Sequence, residues 1–263
     1  MREIVRNVAF GTLAFLLVAA VASAEEVCFD DPTGDDNGPG EYVYPTDSVY
    51  TKGSFDLTKF CFGISGNRAT VEVSVNSNLQ DPWRMGTGFS VQMIFVYIKN
   101  DNKLGGGYTV GLPGTNHEFS PEDAWDRVII LSPQQIGRVK TEVESKVSTD
   151  LQNAVIIPRR TKGSGRTISG SFATTDLGEP VGDPNSWSYQ VIMQSNEGFP
   201  AEGDLLTRKV NEFEGQHRFG GGTDYDCDPH VMDILGDQAA WLAYECEADG
   251  TPKTMATVGM VKR

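Results

Sequence analysis

Residues 89–98 constrain the fold most, because this segment is apolar on both faces of an extended chain. Alternate positions on one face are Phe89, Val91, Met93, Phe95 and Tyr97, and those on the other are Ile94, Val96 and Ile98. A strand with two apolar faces is covered by protein on both sides. The segment therefore predicts a central strand.

Residues 69–75 show the simpler alternation of a half-buried strand, with Val71, Val73 and Val75 on one face and Glu72 and Ser74 on the other. Four further segments have strand character, and breaks rich in glycine, proline, asparagine and aspartate separate them: residues 128–131, 154–157, 167–172 and 187–193. Many short strands with turn punctuation predict an all-β fold, an immunoglobulin-like or jelly-roll-like antiparallel β-sandwich.

Helical signals are few. Residues 121–125 suit a single turn, and residues 238–244 predict a short helix near the C-terminus. Residues 133–146 mix apolar and polar side chains without a clear period, so their structure stays open. Residues 158–166 predict a basic hairpin loop. The loop is either a solvated tip or a contact for an acidic surface polymer or a second copy of the chain.

The first 24 residues have the features of a secretory signal peptide. Arg2 and Arg6 form a basic head, residues 8–21 are apolar, and Ala22-Ser23-Ala24 is a small-residue cleavage site. The apolar run is shorter than the roughly 20 residues of a membrane span; an uncleaved anchor is the alternative. Cleavage after Ala24 would leave residues 25–263 as one domain, secreted or held at the cell surface or in the periplasm.

The formal net charge is −14. An acidic surface repels phosphate backbones, so nucleic acid is an unfavourable partner. The same surface favours divalent cations.

Four cysteines follow the predicted signal: Cys28, Cys61, Cys227 and Cys246. An even number of cysteines in an exported chain predicts disulfides. Three pairings are possible, and the local pairs Cys28–Cys61 and Cys227–Cys246 are preferred. No pair has the two-residue spacing typical of zinc ligands, so a zinc site is disfavoured.

An acidic loop follows the predicted signal, with Asp31, Asp35 and Asp36 among glycines and prolines. Calcium binds carboxylate and carbonyl oxygens, and Gly34 or Gly38 would let the backbone fold around an ion. The loop therefore predicts a structural calcium site. The alternative is a set of ordinary turn formers, since Asp, Asn, Gly and Pro dominate turns.

An ordered series of motifs extends through nearly all of the chain after residue 24. It begins with DPTGDDNGPGEYVYPT at 31–46, GSFDL at 53–57, DPW at 81–83 and GFSVQ at 88–92. It continues with VYI at 96–98, GGGY at 105–108, PGTN at 113–116, AWD at 124–126 and WSY at 187–189. It ends with QSNEGF at 194–199, FGGG at 219–222, DPHVMDIL at 228–235 and ATV at 256–258. The series resembles the C-terminal, S-layer-homology-like binding module of glucodextranase, which is related to family 9 carbohydrate-binding modules.

The resemblance implies a β-sandwich that binds an α-glucan or envelope polysaccharide without catalysis, with the cell-surface layer or a separate glycosidase as a further partner. It also makes Asp56, within the GSFDL motif, a candidate fourth calcium ligand. The chain departs from the family pattern in its four cysteines and in the lack of an attached catalytic domain. A structural protein of the surface layer is the alternative function.

Aromatic side chains are the candidates for sugar contact, because their rings stack on the apolar faces of sugars. Trp83 lies in a polar, turn-rich segment, and Trp125 lies beside Asp123 and Asp126. Both are predicted to bind carbohydrate together with Tyr108, although most tryptophans are largely buried. Trp187 and Trp241 are expected in the core.

Catalytic motifs are missing from the sequence. It contains neither a Gly-x-Ser-x-Gly elbow nor a His-Glu-x-x-His pair, and His117, His217 and His230 are scattered. Among 36 acidic residues some pair of carboxylates always looks plausible as a glycosidase pair, so no pair is assigned. The chain is therefore predicted not to be an enzyme.

Overall fold

The computed structural model describes residues 25–100, 107–179 and 181–263. The predicted signal peptide and its cleavage site lie outside the described residues. Fourteen strands are present in the described part: β1 (Glu25–Asp30), β2 (Leu57–Ser65), β3 (Arg68–Val75), β4 (Gln92–Lys99), β5 (Glu118–Phe119), β6 (Arg127–Leu131), β7 (Val155–Ile156), β8 (Arg160–Ser164), β9 (Thr167–Ala173), β10 (Ser188–Ser195), β11 (Asp233–Ile234), β12 (Glu245–Cys246), β13 (Pro252–Thr254) and β14 (Thr257–Val258).

Two five-stranded sheets form the architecture. The first sheet has the strand order β1-β2-β3-β9-β8, and the second has the order β11-β10-β4-β6-β7. All neighbours in the first sheet are antiparallel. In the second sheet β6 and β7 are parallel, because the chain crosses between them through helices, whereas the remaining pairs are antiparallel.

The two sheets pack face to face over a shared core, which makes the fold a β-sandwich. Val71 and Val73 of β3 belong to the same buried cluster as Ile94 and Val96 of β4. The other face of the second sheet is buried as well, where Met93 and other side chains pack against helices and the C-terminal segment. Strand β4 is therefore covered on both sides, as its two apolar faces predict.

The strand predictions are confirmed at all six segments, with boundaries that differ by a few residues. Residues 158–166, predicted as a hairpin loop, instead contain edge strand β8 and the tight turn that leads into β9. The expected C-terminal helix is α3 (Gln238–Trp241), and the expected single turn is the 3-10 helix Pro121–Asp123.

The segment left open by the sequence contains helix α1 (Ile136–Lys146), followed by α2 (Thr149–Gln152). Val139 and Val143 of α1 are buried against the second sheet, and Val147 follows at the same four-residue spacing. Residues four apart lie on one helix face, but a stripe of valines alone is a weak helix signal because valine favours strands. Two further 3-10 turns are Thr174–Leu177 and Pro184–Ser186.

Both preferred disulfides are present. Cys28 and Cys61 are directly opposite each other on β1 and β2. Cys227 and Cys246 join the segment before β11 to β12. The helices in the described part of the chain are all too short or too polar to cross a lipid bilayer.

Candidate cation site and binding cleft

The acidic loop leaves the end of β1 and folds onto the C-terminal part of the chain. The Asp31 carboxylate accepts a hydrogen bond from Gly236 N at 2.9 Å. Gly38 N donates to the Met232 carbonyl at 2.9 Å, and Gln238 Nε2 donates to the carbonyls of Gly38, at 2.9 Å, and Asp35. The loop is thus held by the residues around β11 and α3.

This docking brings three carboxylates together. One oxygen from each of Asp31, Asp35 and Asp233 lies within 4.8 Å of the others. Asp233 is fully buried at the start of β11. Its carboxylate accepts hydrogen bonds from Leu57 N at 2.6 Å and Ile234 N at 2.7 Å, so its position is fixed by both sheets.

Asp56 holds the other side of the loop. Its Oδ2 accepts hydrogen bonds from Gly34 N at 2.8 Å and Asn76 Nδ2 at 3.0 Å. Its Oδ1 is buried and has no hydrogen-bond partner among the described residues, and the same holds for Asp31 Oδ2 and Asp35 Oδ1. Buried polar atoms in proteins nearly always have a partner, and a cation is one partner that could satisfy these three acidic oxygens.

Burial and mutual repulsion disfavour the charged forms of these acids. Burial, together with the neighbouring charges of Asp35 and Asp56, raises the pKa of Asp31 to about 7. Burial is also the main cause that raises the pKa of Asp35, and it raises that of Asp233 well above its usual value. A divalent cation would replace this repulsion with attraction.

The donor set fits a hard cation. All candidate ligands are oxygens, which calcium and magnesium prefer, whereas zinc sites use histidine nitrogen or cysteine sulfur. Calcium takes about 6–8 oxygens in flexible geometry. A site built from a glycine-containing loop and carboxylates of three chain segments suits calcium better than magnesium, which needs a rigid octahedron. Asp31, Asp35 and Asp233 would hold the ion, with Asp56 beside them.

The sequence prediction missed Asp233. The signal was present, because an acidic residue between Met232 and Ile234 in a short apolar strand segment needs a partner. Its link to the N-terminal loop is visible only in the fold, since the two segments are far apart in the chain.

Asp36 lies outside this group of three carboxylates, and its role as a ligand stays a prediction. Its carboxylate accepts a hydrogen bond from the Tyr44 hydroxyl. That hydroxyl also accepts from Phe55 N at 3.0 Å. Asp36 is thus linked through Tyr44 to the aromatic cluster that contains Tyr50, Phe55 and Phe219.

A cleft of about 450 Å³ lies at one end of the second sheet. Three chain segments that meet at this end form it: the loop before β4, the segment from β6 into α1, and the segment after β10. They meet because β4 starts where its antiparallel neighbours β6 and β10 end. The lining residues are Trp83, Met85, Gln134, Arg138, Asn196, Glu197, Gly198, Phe199, Arg208 and His217.

The polar groups of the cleft are held by one another. Gln134 Nε2 donates to Asn196 Oδ1 at 3.0 Å, and Asn196 Nδ2 donates to the Ser90 carbonyl at 2.9 Å. Arg208 forms an ion pair with Glu197 at 2.8 Å and also donates to the His217 carbonyl. Arg208 Nε is buried without a partner among the described residues. The polar side chains at the base of the cleft, which form its floor, are therefore held in fixed positions before a ligand binds.

Two aromatic side chains border the cleft. Trp83 is half-buried, with its ring 6.2 Å from that of Tyr50 and 6.4 Å from that of His217. Phe199 is 94% exposed. Phe199 is not among the residues predicted to bind sugar, although an aromatic residue between Gly198 and Pro200 in a turn is a signal for exposure.

Trp125 is fully buried, which removes it from the candidates for sugar contact. Its ring packs 5.2 Å from Tyr97, and its Nε1 donates to the Val110 carbonyl at 3.0 Å. Tyr108 is half-buried and packs 5.0 Å from Trp125, with its hydroxyl donating to the Asp150 carbonyl. Neither lines the Trp83 cleft. The polar neighbours of Trp125 predicted exposure, and this prediction is wrong. Strand β6 begins directly after Asp126, so the chain at Trp125 is already packed against the second sheet.

A family profile described as the C-terminal binding module, SLH-like, of glucodextranase matches residues 27–259 of the chain. The match extends through both sheets, the acidic loop and the cleft. The chain belongs to this family. A comparison with curated protein sequences gives no match.

Members of the glucodextranase C-terminal module family are described as binding modules rather than catalytic domains. A non-catalytic role agrees with this description, and glycans or surfaces are the general class of partner. The two disulfides are consistent with an extracellular location.

Proposed function

We propose that this chain binds a polysaccharide of the α-glucan or envelope type in the cleft between Trp83 and Phe199. The observation that carries the proposal is the exposure of Phe199 beside a preorganised polar floor. An exposed aromatic ring is available to stack on the apolar face of a ligand. A few fixed polar groups within an aromatic border are typical of small-ligand sites.

Each part of the cleft has a role in this proposal. The rings of Trp83 and Phe199 would contact the apolar faces of sugar units. Asn196, Gln134 and the Arg208–Glu197 pair would exchange hydrogen bonds with hydroxyl groups. None of these contacts breaks a covalent bond, so the chain would bind a glycan without modifying it.

Calcium has a structural role in the same proposal. Bound by Asp31, Asp35 and Asp233, the ion would fix the N-terminal loop to β11. Met232, next to Asp233, belongs to the aromatic cluster that also contacts Trp83. The ion would therefore support one wall of the cleft from behind without touching the sugar.

The test is titration of the protein with a panel of soluble α-glucans and envelope polysaccharides. The same titration is then repeated with the Phe199→Ala variant. We expect wild-type binding to at least one glycan and about tenfold weaker binding for the variant, which corresponds to about 1.4 kcal/mol. Phe213→Ala is the matched control, because Phe213 is also exposed, at 63%, and does not line the cleft.

Equal affinity of Phe199→Ala and wild type would refute the cleft as the site. No binding to any glycan would refute the carbohydrate role and favour the alternative of a surface-layer structural protein. Trp83→Ala is less clean, since this ring also packs on Tyr50, so Phe199 decides the question.

A further inference from the structure

A second groove lies on the outer face of the first sheet. It has a volume of about 270 Å³ and runs over strands β3, β9 and β8. Its lining residues are Arg68, Thr70, Glu72, Arg160, Lys162, Ser169, Gly170 and Ser171. It shares no residue with the Trp83 cleft.

The strand register explains its shape. Arg160 of β8 is opposite Ser171 of β9, which is opposite Thr70 of β3. Partners in an antiparallel pair project to the same face. The middle strand contributes only small side chains, so it forms a floor between a basic wall on β8 and a charged wall on β3.

A second row repeats the arrangement two residues along the strands. Lys162 is opposite Ser169, which is opposite Glu72. Residues two apart on a strand are separated by about 7 Å, so Arg160 and Lys162 present two cations at this spacing. A ligand running along β8 would meet both.

The groove concentrates positive charge on a strongly acidic protein. Arg160 and Lys162 are exposed, and neither forms an ion pair with another described residue. Arg68 donates to Ser171 Oγ at 3.0 Å, which aims its guanidinium across the floor. With 36 acidic residues against 22 basic ones, three cations around a single acid are an unusual local excess.

We propose that this groove binds a carboxylate-bearing polysaccharide. The cations would hold successive carboxylates, since guanidinium matches a carboxylate with two parallel hydrogen bonds. The hydroxyls of Ser169, Ser171 and Thr70 suit sugar hydroxyls, and Glu72 accepts from hydroxyl donors, which a polysaccharide offers on every unit. The groove lining contains no aromatic ring on which bases would stack.

The groove adds an acidic polymer to the glycan proposed for the cleft, and its binding does not depend on Phe199. One chain would then link two polysaccharides of different charge, one at the end of the second sheet and one on the face of the first.

The experiment compares binding to polygalacturonate and to the same polymer with its carboxyl groups reduced. The test variant is Arg160→Gln with Lys162→Gln, and the matched control is Lys140→Gln with Lys262→Gln, which removes equal charge at exposed positions elsewhere. At low ionic strength we expect retention on the polyuronate, none on the reduced polymer, and about tenfold weaker binding of the test variant only. Retention should fall at about 0.3 M salt, where screening is strong.

Equal loss in the control pair, or equal binding to the reduced polymer, would overturn the proposal. So would equally tight, Arg160-dependent binding to duplex DNA, or a self-association in size-exclusion chromatography that the test variant abolishes. Binding of Phe199→Ala to polygalacturonate at wild-type strength separates this surface from the cleft, whichever way the glucan titration falls.

Discussion

Replacement of Asp31 by asparagine should change the stability of the protein in opposite directions with and without calcium. The pKa of Asp31 is about 7 in the folded protein and 3.8 ordinarily, and one unit corresponds to about 1.4 kcal/mol. Full conversion gives about 4 kcal/mol. Asp31 and Asp35 line a pocket of about 510 Å³ that is open to solvent, and screening by this solvent reduces the expected effect to about 2 kcal/mol. Asparagine keeps the Oδ1 acceptor for Gly236 N and removes the charge.

The sign follows from the raised pKa. Above pH 7 the empty site contains a carboxylate whose ionised form the fold disfavours, so the cost is fully present at pH 8 and is relieved as the pH falls through 7 toward 4. In chelator at pH 8, Asp31→Asn should therefore be more stable by about 2 kcal/mol, or about 6 °C in Tm for a chain of this length. The gain should shrink at pH 5.

Calcium should reverse the order. At 100 times its Kd, an ion that binds only the folded state adds about 2.7 kcal/mol, or about 8 °C in Tm. The variant has lost one ligand and should gain almost none of this increment, so that the wild type with calcium becomes slightly the more stable of the two. The assay is thermal unfolding by circular dichroism, in chelator and over a calcium titration, at pH 8 and pH 5.

Asp30→Asn is the control, because Asp30 is the exposed neighbour with the same charge, and a change within about 0.5 kcal/mol is expected. A variant that is less stable than wild type in chelator, or one with an unchanged calcium increment, would show that Asp31 is only a turn former.

Three further perturbations test the fold around the sites. His117 is fully buried and its pKa is lowered to about 4. The stability associated with its neutral form is present above pH 6.5 and is lost as the pH falls toward 4, by about 3 kcal/mol. The variant His117→Leu should therefore show a flatter dependence of the unfolding free energy on pH, as measured by urea unfolding. Trp125→Ala should destabilise by about 3–5 kcal/mol and leave the glycan affinity of the folded protein unchanged; a selective loss of affinity would return Trp125 to the site. Replacing Cys227 and Cys246 together by alanine should cost about 3 kcal/mol, as expected for a loop of this length, and unaltered denaturant midpoints would contradict it.

Local pattern predicted the sheets well, because burial imposes a period on a strand that the sequence must carry. The sequence pattern matches the buried faces in both central strands. In β3 the alternating Val71, Val73 and Val75 form the buried face, and in β4 both faces are apolar and both are buried. The same logic failed at α1, where the buried stripe consists of valines and a short amphipathic helix looks much like an irregular segment. It also failed at Trp125, whose burial depends on a strand partner and not on its polar neighbours.

The candidate sites were predicted only in part, since each is assembled from distant segments. Asp31 and Asp35 were found from their loop, but Asp233 joins them through a contact that no local pattern encodes. The exposure of Trp83 is predicted from its turn-rich surroundings. The position of Phe199 at the same cleft follows only from the fold, in which β4 starts where β10 ends. The pairing of Arg160 with Ser171 and Thr70 likewise depends on the register of three strands.

The docking of the acidic loop has a consequence for the order of events in folding. Gln238 binds the carbonyl of Asp35 across 203 positions of sequence, and contacts of such long range are among the slowest to form. The carboxylate cluster therefore cannot form on a chain that ends before Asp233 and Gln238. An ion held there would report that these two distant segments, residues 31–38 and 232–238, have docked on each other.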